Sequence, residues 1–346
     1  MVGRGVDALL LSIGSDLPYL TGYRAMATER LTMLVLTASE AVIVVPALEA
    51  PRIVDREGFE VRAWSETEDP VAIVAAIVGA PSRVLVGSET WSRFTIALEG
   101  HLAGSRFSDA EPFMSGLRVI KDEIEAAALR TAGAQVDGVA AELAEERFSG
   151  RSELDLSRRI ADLTLAAGHD EANFAIVASG PNGASPHHEA GERVMEQGDT
   201  VVVDFGGQVS GYWSDTTRTF SIGEPDNEIF EAYGVLAAAQ QAAVAAVSPG
   251  VPAEDLDTAA RQIIGDAGYG AWFIHRTGHG IGMDVHEQPY LVAGNTDPVE
   301  AGMAFSIEPG IYPPGRWGMR IEDIVLVTTE GVERLNNSSR ELVVVE

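Results

Sequence analysis

Four carboxylates and one imidazole, spread through apolar and glycine-rich segments, limit what this sequence can fold into. They are Asp204, Asp215, His279, Glu308 and Glu322. Packed within a few ångströms, the carboxylates would repel one another and shift toward protonation unless cations compensated them. Their combined charge of about −4 matches two divalent cations. We therefore expect a fold that gathers these five side chains into a dinuclear metal site.

The two aspartates flank a glycine-rich turn in VVVDFGGQVSGYWSD. A tight turn around Val209 and Ser210 would pair the flanking strands so that Asp204 faces Asp215 directly, with Cβ atoms about 4.5–5.5 Å apart. The alternative is a solvated hairpin that exposes both acids. Three valines before Asp204 and a phenylalanine after it favour a buried metal ligand.

The two glutamates lie in the strand-like segments FSIEPGIY and MRIEDIVLV. A charge within such a strand is costly unless it is paired or bound to a metal. Glu308 alone would suit a strand edge, but its combination with Glu322, two aspartates and the glycine-flanked His279 favours a ligand. Oxygen-rich ligands with one nitrogen and no sulfur select Mn, Co, Fe or Zn before Cu. We predict two divalent ions, Mn first and Co, Zn or Fe as alternatives, and hydrolysis of an amide or a related bond.

Histidines are concentrated in two further segments, SGPNGASPHHE and HRTGHGIGMDVHE. The five histidines of these segments are His187, His188, His275, His279 and His286. The remaining two, His101 and His169, are expected to be ordinary surface or loop residues.

Strand-like runs alternate with helical segments through the first hundred residues, which predicts an α/β layout with a mixed or parallel sheet. Turn-forming residues collect at 109–116, so we expect a boundary there between domains of residues 1–115 and 116–346. Four helices are predicted in the second domain, at 121–148, 153–168, 228–247 and 254–267.

Composition excludes several classes of function. The chain has 24 Lys and Arg against 52 Asp and Glu, and a formal net charge of −28, which argues against binding a nucleic-acid backbone. It has no cysteine, which excludes disulfides, thiolate metal sites and a cysteine nucleophile. No stretch approaches the roughly 18 apolar residues of a membrane span, and the N-terminal apolar run is too short for a signal peptide. We expect a cytoplasmic protein that binds neither nucleic acid nor membrane.

Three of these segments, HRTGHGIGMDVHE, FSIEPGIY and MRIEDIVLV, resemble the metal-binding segments of the pita-bread metallopeptidases. SGPNGASPHH and the separate N-terminal domain are similar to the proline-specific branch of that superfamily: prolidases, Xaa-Pro dipeptidases and aminopeptidase P. The resemblance covers nearly the whole chain and is strongest from about residue 173 to 336. It implies an α/β (α+β) fold, with a catalytic pita-bread domain at 116–346 preceded by a smaller creatinase/prolidase-like domain at 1–115.

The resemblance also implies roles for the metal ligands. Asp204 would bind one metal and Asp215 would bridge both. His279 would complete the site on one metal, while Glu308 and Glu322 would ligate or bridge. Glu308 would also be the base that takes a proton from the attacking water.

Further positions match residues that contact the substrate in the family. His187 and His286 match histidines that hold the substrate and stabilise the tetrahedral intermediate. His275 matches a histidine that lines the pocket for proline. Arg320 and Tyr312 match positions beside the ligands or the substrate. The second histidine of SPHH matches less well, because the family's histidine directly follows the proline.

By this resemblance the chain would be a dinuclear Xaa-Pro dipeptidase, a homodimer, acting on short proline-containing peptides. The alternatives are an Xaa-Pro aminopeptidase acting on longer peptides, or a related metal-dependent amidohydrolase acting on another small metabolite. The compact N-terminal domain favours the dipeptidase, because short substrates need an enclosed pocket. A non-catalytic binding protein and a metal-free creatinase-like enzyme are disfavoured because all five ligand positions are intact. The first strand lies almost at residue 1, where relatives have a preceding helix, which predicts a shortened N-terminus.

Overall fold

The computed structural model describes residues 1–54 and 58–346, which form two compact units, Met1–Leu117 and Arg118–Glu346. Both units combine helices with sheets, so the predicted α/β architecture is confirmed. Within the described ranges, no helix has the length and apolar character needed to cross a membrane.

A six-stranded mixed sheet in the order β4-β3-β2-β1-β5-β6 forms the first unit. The strands are β1 (Ala8–Leu11), β2 (Met33–Thr37), β3 (Ala41–Pro46), β4 (Glu60–Trp64), β5 (Arg83–Val86) and β6 (Arg106–Asp109). The first helices are α1 (Asp16–Thr21), α2 (Pro70–Val78) and α3 (Ser92–His101). Leu10 is buried in one core cluster and Leu9 in another, because both faces of the sheet are covered.

The two edge strands escaped prediction. β4 and β6 consist mainly of exposed or half-exposed residues, so they lack the apolar run that marks the four inner strands. The expected turn region at 109–116 was also wrong in its local structure, because helix α4 (Glu111–Arg118) occupies it. Pro112 lies in the first turn of α4, where its missing N–H costs nothing. Met114 is buried in the core, so packing outweighs the turn-forming composition.

Two five-stranded sheets dominate the second unit. The first has the order β18-β10-β8-β7, with β9 paired to β8, and the second has the order β12-β11-β13-β16-β17. The strands of the first sheet are β7 (Glu171–Ser179), β8 (Thr200–Val209), β9 (Tyr212–Trp213), β10 (Thr216–Ile222) and β18 (Val343–Val345). Those of the second are β11 (Gly278–Gly280), β12 (Glu287–Leu291), β13 (Ala304–Ile307), β16 (Asp323–Thr328) and β17 (Gly331–Arg334). A separate pair consists of β14 (Gly310–Ile311) and β15 (Met319–Arg320).

Two helices pack against each of these sheets, and all four were predicted from the sequence. Helices α5 (Glu123–Leu143) and α6 (Glu153–Ala166) share a core with the first sheet. Helices α7 (Asn227–Ala245) and α8 (Ala253–Asp266) share a core with the second. Asp122 caps α5 in a capping box with Glu125, an interaction typically worth about 1 kcal/mol. Helix α5 ends at Leu143, earlier than predicted.

Candidate metal centre

The structure brings the five predicted ligands within coordinating distance. Ligand atoms of Asp204, Asp215 and Glu322 all lie within 4.8 Å of one another, and the same holds for His279, Glu308 and Glu322. The two triples share Glu322. Such an arrangement suits two cations that lie side by side.

The two aspartates meet diagonally, so the predicted direct pairing was wrong. Ser210 and Gly211 form the centre of the turn between β8 and β9, with φ angles of 52° and 85°. The register is therefore shifted, and Asp204 pairs with Thr217 instead of Asp215. Asp215 lies two residues before Thr217, so strand alternation puts both acids on one face of the sheet. Two central residues with positive φ are typical of a type I′ turn, for which the glycine was the available signal.

The second sheet supplies the glutamates. Strands β13 and β16 are antiparallel with Ile307 opposite Asp323, so Glu308, after β13, and Glu322, before β16, emerge at the same end. A β-bridge between Thr217 and Glu322 joins that end to β10 of the first sheet. The contact between the two sheets at this bridge brings the aspartates and glutamates together.

His279 lies between two glycines in β11 because the neighbouring strands approach very closely. A Cβ at Gly278 or Gly280 would lie 1.9 Å or 2.0 Å from a carbonyl oxygen of the next strand. The Nε2 of His279 lies 3.2 Å from Glu308 Oε1 and 3.7 Å from Asp215 Oδ2. Burial raises the pKa of Glu308, but the hydrogen bond with His279 and the nearby charges of His279, His275 and Arg320 together outweigh burial, and the pKa falls to about 2.

Electrostatics and unsatisfied hydrogen-bonding capacity both fit divalent cations. Burial, followed by repulsion from Glu322 and Asp204, raises the pKa of Asp215 well above its ordinary range. Burial and repulsion from Glu308 do the same to the pKa of Glu322. Asp204 Oδ1 is buried and has no hydrogen-bond partner within the described part of the chain. Cations would relieve the repulsion and satisfy this oxygen.

Arg320, Tyr312 and His275 form a hydrogen-bonded chain that ends at Asp204, one of the five predicted ligands. Arg320 donates from Nη2 to Asp204 Oδ2 at 2.6 Å and from Nη1 to Tyr312 Oη at 2.8 Å. Tyr312 Oη lies 3.0 Å from His275 Nε2. Arg320 Nε also donates to Thr217 Oγ1 at 2.9 Å, so this guanidinium is fully engaged. The structure thus brings the three residues into one network.

A pocket of about 290 Å³ opens beside the ligands. Its walls comprise Pro186, His187, His275, Arg276, His279, His286, Glu308 and Arg320. This volume is at the lower end of the roughly 300–1,000 Å³ usual for small-molecule sites, so the pocket suits a short ligand. The ring centroids of His279 and His286 are 4.0 Å apart. Burial, followed by repulsion from His279, lowers the pKa of His286 to about 4.

Each of the two parts of the chain matches the model of a known protein family. The model of metallopeptidase family M24 matches residues 127–329, and the model of the creatinase/prolidase N-terminal domain matches residues 1–120. This chain belongs to metallopeptidase family M24. The predicted metallopeptidase, its pita-bread fold and its creatinase/prolidase-like first domain are thereby confirmed.

Individual relatives align with the M24 chain over almost its whole length. The probable dipeptidase PepE of Mycobacterium tuberculosis is 47% identical over 348 residues, which cover 99% of this chain and 92% of the relative. The Xaa-Pro dipeptidase of Lactobacillus delbrueckii subsp. lactis is 36% identical and covers 98% of this chain and 95% of the relative. A prolidase structure from Thermococcus sibiricus matches with a TM-score of 0.94 and 38% identity, covering 99% of this chain and 95% of that one. The predicted resemblance to the proline-specific branch is confirmed.

Buried Glu153 anchors the loop of the M24 site that carries His187, a role that no local sequence pattern revealed. Its carboxylate accepts hydrogen bonds from the backbone N–H and the hydroxyl of Ser179 at 2.8 and 2.6 Å. His188 Nε2 lies 2.8 Å from Glu153 Oε2. His188 is therefore part of the anchor, while His187 lines the pocket.

A second set of ion pairs holds the loop that carries His286. Arg118 pairs with Asp284 and, at 2.5 Å, with Glu287, and Lys121 also pairs with Glu287. The side chain of Lys121 is only 1% exposed, so this pair is shielded from water. These cations lie far upstream in the sequence, which is why local patterns did not reveal them.

Asp323, directly after the predicted ligand Glu322, is paired with three arginines. Its carboxylate accepts from Arg218 and Arg334, each at 2.8 Å, and pairs with Arg340. Arg218 also donates to the carbonyl oxygen of Glu322 at 2.6 Å. The cluster thereby fixes the backbone at Glu322.

One of the two histidines expected to be ordinary has a structural role. His101 is exposed, as expected. His169 is buried, and its Nε2 lies 2.8 Å from Ser214 Oγ, next to Asp215. Burial lowers the pKa of His169. His169 lies in the loop after α6, as expected, but it is buried and hydrogen-bonded and is therefore not an ordinary loop residue.

Proposed function

We propose that this M24 chain is a dinuclear, divalent-metal-dependent Xaa-Pro dipeptidase. The observation that carries the proposal is the convergence of four carboxylates and one imidazole at the wall of a pocket of about 290 Å³. Three further histidines line that pocket, which supports hydrolysis of a small polar substrate. The similarity to an Xaa-Pro dipeptidase and to a prolidase supports a bond before proline as the target.

The metal site would consist of Asp204, Asp215, His279, Glu308 and Glu322. Its oxygen-rich ligand set favours Mn²⁺, with Co²⁺, Zn²⁺ or Fe²⁺ as alternatives. Two bound ions would supply Lewis acidity, lowering the pKa of water and polarising the scissile carbonyl group.

The protein's own residues supply the remaining steps. Glu308 accepts a proton from the attacking water and passes it toward the leaving imide nitrogen. His187 and His286 donate hydrogen bonds to the substrate carbonyl oxygen as negative charge develops on it. His275 lines the space for the proline ring. Arg320 and Tyr312 keep Asp204 oriented, as their hydrogen bonds of 2.6 and 2.8 Å support.

We propose in addition that the enzyme acts in the cytoplasm as a homodimer. Its substrates would be short proline-containing peptides. The homodimer follows from the resemblance to the proline-specific branch, and gel filtration with light scattering would test it.

The test is peptide hydrolysis by protein stripped of metal and reloaded with Mn²⁺, against a chelated control. The substrates are Ala-Pro, Ala-Pro-Ala and Ala-Ala. Metal-dependent release of proline from Ala-Pro, with little attack on the other two, is expected. Cleavage before proline in the tripeptide would identify an aminopeptidase instead. Two bound metals with no turnover of any peptide would refute the proposal and favour another amide substrate.

Matched histidine variants separate the site from the rest of the chain. His286→Ala is expected to lose most activity because its N–H donor to the substrate is gone. His101→Ala, an exposed histidine of the first unit, is expected to behave as wild type.

A further inference from the structure

Arg276 is a cation in the substrate pocket for which the protein provides no anion. The pocket contains two arginines, and one of them, Arg320, donates its hydrogen bonds to Asp204 and Tyr312. Within residues 1–54 and 58–346, the guanidinium of Arg276 donates no hydrogen bond and joins no ion pair. Its contact is with the ring of Tyr290, whose centroid lies 4.2 Å from Cζ of Arg276.

Stacking on Tyr290 orients this guanidinium and leaves its N–H donors unused. A cation over an aromatic face is attracted by the ring's quadrupole and does not have to turn its N–H groups toward the ring. Tyr290 is paired with His279 across strands β11 and β12, so the ring has a defined position relative to the metal ligand. A half-buried guanidinium without a counterion is unfavourable. Its planar fork matches a carboxylate, which it can hold by two hydrogen bonds.

We propose that Arg276 binds the C-terminal carboxylate of the substrate and thereby selects dipeptides over longer peptides. This inference rests on the proposed Xaa-Pro dipeptidase function. In an Xaa-Pro dipeptide the carboxylate belongs to the residue that directly follows the scissile bond. In a tripeptide the same position is an uncharged amide. The pocket volume of about 290 Å³ suits a ligand as short as a dipeptide.

An acidic side chain before proline would offer the same carboxylate chemistry. The C-terminal carboxylate is favoured because every Xaa-Pro dipeptide has it. Synthetic amides distinguish the two sources. Ala-Pro amide lacks the C-terminal charge, and Glu-Pro amide retains a carboxylate only in its side chain.

The experiment compares kcat/KM of the Mn²⁺-loaded wild type and Arg276→Gln on Ala-Pro, Ala-Pro amide and Glu-Pro amide. The wild type is expected to prefer Ala-Pro over its amide by about 10- to 100-fold, the effect of losing a charge-assisted pair. Arg276→Gln is expected to lose about that factor on Ala-Pro and to change little on Ala-Pro amide. Arg276→Lys, which keeps the charge but not the fork, should lie between them. Arg93→Gln is the matched control, because Arg93 also lies over an aromatic ring, 5.2 Å from that of Phe94 in the first unit.

Equal losses on Ala-Pro and Ala-Pro amide would overturn the inference, and so would a loss confined to Glu-Pro amide. Calorimetric titration with L-proline and L-prolinamide gives a second readout that needs no turnover. The wild type should bind L-proline more tightly, and Arg276→Gln should bind the two alike. Equal affinity of the wild type for L-proline and L-prolinamide would also overturn the inference. If the wild type does not cleave Ala-Pro, the proposed function fails, while the titration still tests Arg276.

Discussion

Replacing Asp323 by asparagine tests whether the arginine cluster beside Glu322 stabilises the second unit. The side chain of Asp323 is 0% exposed and that of Arg218 is 2% exposed. Asparagine preserves the shape of the site but removes the negative charge. Arg218 is then left as a buried cation, held only by neutral acceptors such as the carbonyl oxygen of Glu322.

The structure sets the size of the expected loss. Removing one partner of a buried ion pair typically costs about 3–5 kcal/mol. Arg334 and Arg340 have side chains that are 25% and 27% exposed, so their pairs with Asp323 are screened and add only about 0–1 kcal/mol each. The main contribution is therefore the loss of about 3–5 kcal/mol from the buried pair. For a unit of this size, 1 kcal/mol corresponds to about 2–4 °C, so the transition temperature should fall by roughly 6–20 °C.

Differential scanning calorimetry of chelated protein measures this loss without a contribution from metal binding. The transition of the second unit is expected to move, while that of the first unit stays in place. Glu228→Gln is the matched control, because it breaks the exposed pair with Arg316, whose side chains are 41% and 49% exposed. That variant should lose little stability, because water screens an exposed ion pair. If Asp323→Asn cost no more than the control, the assignment of a stabilising buried pair would be refuted.

Three further predictions follow from features of the second unit. Chelation should lower the transition temperature of that unit alone, because the buried carboxylates then repel one another. Adding Mn²⁺ at about 1,000 times its Kd should restore about 4 kcal/mol of stability. An unchanged calorimetric trace would contradict this prediction. Glu153→Gln should destabilise the protein by about 1–3 kcal/mol near neutral pH, with unchanged metal content, because charged acceptors of hydrogen bonds are lost. Burial opposes ionisation of Glu153, but hydrogen bonds, led by that from Ser179, lower its pKa below the usual 4.5. The wild type's advantage over Glu153→Gln should therefore shrink as the pH falls below about 4.5, and urea unfolding that shows a pH-independent difference would refute this. Ser210→Asn should raise the urea midpoint by the equivalent of about 0.5 kcal/mol, since Asn-Gly suits a type I′ turn, and a lower midpoint would argue against that turn.

The five candidate metal ligands could be proposed from the sequence because they interrupt local patterns. Glu322 is a charged residue next to an otherwise apolar strand. His279 is flanked by two glycines, which are needed because the neighbouring strands approach closely there. These are local signals, so a single sequence displays them. The relative position of the aspartates was not open in the same way. It depends on which two residues form the turn, and a shift by one residue moves Asp204 from Asp215 to Thr217.

Long-range pairing explains most of what sequence reasoning missed. Arg118 and Glu287 are 169 residues apart, and neither lies in a segment that indicates a partner. Glu153 stands at the start of an ordinary amphipathic helix, where an acid is expected for the helix dipole alone. The edge strands β4 and β6 consist mainly of exposed or half-exposed residues, and it is pairing with β3 and β5 that places them in the sheet. In each case the deciding contact comes from a distant part of the chain.

The ion pairs of Arg118 and Lys121 also limit how far the chain can be truncated from its N-terminus without destabilising the second unit. Both cations precede residue 127, the first residue that the M24 family model matches. A polypeptide starting at 127 would keep every proposed metal ligand but would leave Glu287, whose side chain is 10% exposed, without its counterions. An uncompensated buried charge of this kind costs about 3–5 kcal/mol, next to the loop of His286. The shortest stable polypeptide that contains the site should therefore begin before Arg118. Its first residue is set by these ion pairs and not by the residue at which the family match begins.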